Sequence, residues 1–71
     1  MKKVETYLLE EHECLPTVEH IQKCIEIAKV NDCIVSLEWV VPYSGRYSRY
    51  INAEDDAQDF YNKKIPKIYG V

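Results

Sequence analysis

Only two glycines and three prolines occur in 71 residues, so the chain has neither the period of collagen nor the composition of a disordered linker. It lacks any apolar run approaching the roughly 18 to 20 residues that a membrane-crossing helix requires. Its opening Met1-Lys2-Lys3 leads into Glu5, Glu10 and Glu11 instead of the apolar centre of a secretory leader. These absences predict a cytoplasmic location and no membrane partner. A strong charge of either sign is missing as well. Nine basic against twelve acidic side chains leave a net charge of −3, too weak for an acidic nucleic-acid mimic and of the wrong sign for general phosphate binding. Glycine patterns of the phosphate-cradling or dinucleotide-binding kind are absent, and no cofactor is implied. The three cysteines, Cys14, Cys24 and Cys33, are an odd number that cannot complete a disulfide framework, so reduced thiols are expected.

What remains is a globular composition, 46% hydrophobic and 30% charged, in a chain long enough for one domain spanning residues 1–71. A core of this size supplies only about 3 to 5 kcal/mol, and natural chains this short often add a metal, a disulfide or a partner subunit.

Val4 to Leu9 alternates loosely and predicts a first strand. The cluster Glu10-Glu11-His12-Glu13 interrupts it. Pro16 and Thr17 then offer a helix entry, with the threonine hydroxyl placed to accept an early backbone N–H. Val18, Ile21, Cys24, Ile25 and Ala28 recur at helical spacing and form one apolar stripe, so the sequence predicts a helix from Val18 to about Val30, stopped by Asn31-Asp32. Cys33 to Val41 is dense in β-branched and aromatic residues and ends at Pro42, which cannot donate a ladder hydrogen bond. It predicts the central strand, with Val35, Leu37, Trp39 and Val41 facing the helices. Ser44-Gly45 reads as a tight turn returning Arg46 to Ile51 as an antiparallel partner. With those two residues as the turn, Trp39 lies opposite Tyr50 and Val40 opposite Arg49, with Glu38 diagonal to Arg49. Tyr50 then joins the core, while Tyr47 and Arg49 face water. A bulge at Gly45 would move the whole assignment to the other face.

Asn52 reads as the cap of a second helix over Ala53 to about Lys63, acidic in its first turn and basic in its last. Pro66 ends it, and residues 67–71 are an optional last strand. The fold class is therefore α+β: a small domain of order β-α-β-β-α(-β), with a three- or four-stranded mixed or antiparallel sheet and two helices on one face.

Three constellations bear on function. His12, Cys14, His20 and Cys24 are soft-ligand types, and His20 and Cys24 stand i,i+4 on one helix. Yet the gap between Cys14 and His20 is short for paired zinc ligands, and Cys24 belongs to the apolar stripe. Cys14 precedes a helix N-terminus, where a thiolate gains stability, but Glu10, Glu11 and Glu13 oppose it and no oxyanion-stabilising motif accompanies it. No metal site or catalytic residue is assigned, which favours a non-enzymatic role and leaves a zinc- or thiol-dependent activity using His12, Cys14, His20 and Cys24 as the weaker alternative.

The third constellation is Tyr43-Ser44-Gly45-Arg46-Tyr47-Ser48-Arg49-Tyr50, in a stretch without an acidic residue from Trp39 to Ala53. Tyrosine and arginine supply large amphipathic area and planar hydrogen bonding, as interfaces use. Tyr43, Arg46, Tyr47 and Arg49 are the candidate binding residues. The expected partner is another protein or a second copy, with single-stranded nucleic acid as the alternative, stacking on Tyr47. Ile27, which lies off the main stripe, and an uncapped strand edge add weight to homodimerisation.

Overall fold

In a computed structural model of the protein, which describes residues 3–10, 13 and 15–65, the elements run β1 (Lys3–Leu8), α1 (Val18–Asn31), β2 (Cys33–Val41), β3 (Gly45–Ile51) and α2 (Ala57–Lys64). The fold is α+β. The sheet is mixed, in the order β1-β2-β3, with β1 parallel and β3 antiparallel to the central β2. The optional strand at 67–71 lies outside the described residues.

Local chemistry explains the boundaries of α1. Thr17 has extended backbone and accepts from the His20 N–H, while the His20 ring accepts from the Thr17 N–H at 3.0 Å, so both early donors are satisfied reciprocally. Asp32 closes the helix in the left-handed conformation, its N–H donating to the Ala28 carbonyl. The helix buries the expected stripe of Ile21, Cys24, Ile25 and Ala28 against Val35, Leu37 and Trp39 of β2, with Ile51, Ala57 and Phe60 completing the centre. Trp39 is fully buried and is the largest side chain in that core.

Two expectations need correcting. The second helix starts at Ala57, not Ala53, and its cap is Asp56, whose carboxylate accepts from the Asp59 N–H at 2.9 Å. Asn52 instead donates its own N–H to the Asp55 carboxylate and accepts from the Asp55 N–H, a closed turn that competes with helix over residues 52–55. The hairpin is also different. Val41 pairs with Gly45, Val40 with Arg46 and Trp39 with Tyr47, so the loop is residues 42–44 and not Ser44-Gly45. Pro42 takes the first central position of a turn in which Ser44 N–H donates to the Val41 carbonyl, and Tyr43 takes the second with φ 66°, the pattern of a type II turn. Moving the partner of Trp39 from Tyr50 to Tyr47 changes it by an odd number of residues, so every side chain of β3 changes face.

The helices cover the sheet unevenly. α1 packs on β2, on β3 and against α2. Along β1, only Tyr7 is partly buried and Lys3 to Thr6 are exposed.

Candidate functional site

The corrected register divides the Tyr/Arg segment between two faces. On the helix-covered face, the Tyr47 ring stacks on Trp39 with centroids 5.8 Å apart, and its hydroxyl shares a 2.7 Å hydrogen bond with the Ser44 hydroxyl. Arg49 follows on the same face. Its guanidinium carbon lies 6.0 Å from the centre of the Trp39 ring, its Nε donates to the Lys64 carbonyl at 2.9 Å, and its Nη1 donates to the Ser48 carbonyl. Arg49 thereby neutralises part of the negative end of α2 while covering the indole. Glu38, read from the sequence as diagonal to Arg49, instead accepts at Oε1 from Arg46 Nη2 at 2.5 Å.

Among the described residues no helix covers the opposite face of the sheet. From β1 it presents Val4, Thr6 and Leu8; from β2, Ile34, Ser36, Glu38 and Val40; from β3, Arg46, Ser48 and Tyr50. Val4 is 55% exposed, Leu8 56%, Val40 49% and Tyr50 64%. Between these apolar corners runs a polar centre. Ser36 is buried by its strand neighbours and donates to Glu38, whose other oxygen holds Arg46. The exposed apolar groups thus lie toward the margins of this face, and the Glu38–Arg46 ion pair lies inside it.

Tyr43 stands at the tip of the hairpin, fully exposed. A left-handed conformation costs an L-residue roughly 1 to 2 kcal/mol, and this position of the turn favours glycine or asparagine.

Of the four residues read from the sequence, the structure therefore places Tyr43 at the tip, Arg46 on the open face, and Tyr47 and Arg49 beneath the helices' side of the sheet around Trp39. Tyr50, expected in the core, lies beside Ser36 on the open face. Sequence reasoning missed it because the turn was placed at Ser44-Gly45 instead of residues 42–44, which moves every cross-strand partner by three residues. Pro42 was the available signal, since proline favours the first central position of a turn.

The soft-ligand residues resolve differently. His12 and Cys14 lie outside the described residues. His20 is engaged at both ring nitrogens, Nδ1 with the Thr17 backbone and Nε2 with Glu13 at 2.6 Å, which makes it a capping residue. Cys24 is fully buried, and burial pushes its thiol up to about 11, so it stays protonated and apolar at neutral pH. Among the described residues no group of three His, Cys, Asp or Glu side chains is placed to hold a metal ion. No described helix is long and apolar enough to cross a membrane. The chain matches no family model, no curated protein and no solved structure.

Proposed function

We propose that this chain is a small non-enzymatic protein-interaction module that binds a partner protein through the open face of its sheet and the adjoining hairpin tip. The carrying observation is Tyr43: an aromatic side chain held in a left-handed turn position, fully exposed, where glycine would relax the backbone. Strain of this kind persists where the side chain is worth more than the backbone cost, and aromatic anchors are the residues that repay it at interfaces. Arg46 and Tyr50 supply the neighbouring polar and amphipathic contacts, with Val40 directly opposite Arg46.

Protein is favoured over single-stranded nucleic acid. A stacking platform needs a free ring face and unspent cations around it. Tyr47 lies against Trp39, Arg46 is held by Glu38 and Arg49 by the Lys64 carbonyl, while the chain as a whole carries a net charge of −3.

The test is proximity capture in source cells, followed by affinity measurement with the purified captured protein. Tyr43→Gly, Arg46→Ala and Tyr50→Ala should each weaken binding by about tenfold or more, the equivalent of about 1.4 kcal/mol. Equal affinity for all three variants and the wild type would remove the open face from consideration.

A further inference from the structure

Among the described residues no strand pairs with the outer side of β1. Leu9 donates its N–H to the Glu38 carbonyl of β2, and backbone groups alternate sides along a strand, so Glu5 and Tyr7 also direct theirs inward. Val4, Thr6 and Leu8 therefore turn their N–H and C=O groups away from the sheet. Beside this edge, on the helix side, α1 does not roof β1. A groove runs there between Tyr7 on its floor and Ile27 and Val30 on its wall, with Lys23 and Glu26 contributing one charge of each sign. Val30 is 82% exposed within it.

We infer that the occupant of this edge is a second copy of the chain, paired antiparallel through β1 about a twofold axis at Thr6, which joins two sheets into one of six strands. The register follows from elementary constraints. A twofold axis normal to the sheet keeps each face on its own side, so the axis falls on a residue of β1, and the central candidates are Glu5 and Thr6. Centring on Glu5 sets two carboxylates directly opposite one another, a destabilising arrangement. Each Glu5 is already committed to its own chain, accepting from Asn31 Nδ2 and Cys33 Sγ, both at 3.1 Å, and so is fixed in place.

Centring on Thr6 removes that repulsion and uses what the edge exposes. Thr6 faces Thr6 of the second copy, a pair with a known cross-strand preference, and both present outward backbone groups to each other. Val4 faces Leu8 of the second copy, and Leu8 faces its Val4, which pairs the exposed apolar side chains on the open face. On the helix side Glu5 faces Tyr7 instead of another carboxylate. With strands about 4.8 Å apart, the two β2 strands lie three spacings, roughly 14 Å, from each other. Helices pack at about 8 to 10 Å, so the space left between the two α1 helices takes the side chains of Tyr7, Ile27 and Val30 from both copies. This inference uses the β1 edge with its Val4 and Leu8 margin of the open face, and leaves Arg46 and Tyr50, on which the binding role rests, on β3 at the other edge of each sheet.

A six-residue edge with one helix flank is a small interface, so association should be concentration-dependent. Sedimentation velocity of the full chain from about 10 μM to about 1 mM, a range suited to small transient interfaces, should show a monomer–dimer equilibrium. Leu8→Lys should weaken it by about tenfold or more, because a lysine on an edge blocks pairing. In a Cys14→Ser background, Thr6→Cys should give a reducible covalent dimer under mild oxidation, whereas Val4→Cys, displaced from its counterpart along the strand, should not. Sedimentation as a strict monomer throughout would overturn the proposal, and so would Val4→Cys crosslinking as readily as Thr6→Cys.

Discussion

Tyr47 lies nearly flat against Trp39, the two ring planes 19° apart, and so closes the hairpin end of the core. An offset aromatic pair contributes about 0.5 to 1.5 kcal/mol beyond the area it buries. The residue that looked from the sequence like an exposed contact group is therefore part of what holds the domain together.

Replacing Tyr47 with Ala should lower stability by about 1 to 3 kcal/mol, whereas Tyr50→Ala on the open face should change it by no more than about 0.5 kcal/mol. Urea unfolding followed by tryptophan fluorescence measures both. The reverse ranking would restore the register with Trp39 opposite Tyr50.

The hairpin tip separates stability from function. Tyr43→Gly should raise stability by up to about 1 kcal/mol by relieving the left-handed tyrosine, after offset by the entropy glycine adds to the unfolded chain. Gly45→Ala should do the opposite. Its φ of 118° is closed to other residues although nothing lies within 4 Å of an added Cβ, so a loss of about 1 to 3 kcal/mol would come from the backbone alone. Thermal unfolding of the two single variants gives the signs directly.

At the start of α1, Thr17→Ala should cost about 1 kcal/mol, since it strips the hydroxyl acceptor from the His20 N–H. Thr17→Ser, which keeps that acceptor, should recover most of the loss in the same denaturant titration.

Cys24 makes stability fall in alkali. Its thiol titrates near 9 when exposed and near 11 in the fold, so between those values the unfolded chain has released a proton that the native chain retains. The corresponding contribution is fully present below about pH 9 and is lost as the pH rises toward 11. Denaturation midpoints across this window should drop more steeply for the wild type than for Cys24→Ala, each compared with its own value at pH 8. Alkylation of Cys24 should likewise be slow in the native protein and fast in denaturant.

Much of this was legible in the residues themselves. The three-and-four spacing of Ile21, Cys24, Ile25 and Ala28, the threonine before them and the β-branched run from Cys33 to Val41 each carry a local physical signal strong enough to determine an element. With them came the inward Trp39, the central position of β2 and the two-layer α+β arrangement. What the amino acids could not decide alone was parity. Strand faces alternate at every residue, so a shift of the turn from Ser44-Gly45 to residues 42–44 exchanged Tyr47 with Tyr50 and Arg49 with Arg46. Nor could local pattern show that α1 would leave β1 unroofed, because coverage depends on where a helix lands across the strands and not on its own periodicity. Elements follow from neighbours in the chain; faces and edges follow from long-range pairing, and only the assembled sheet determines those.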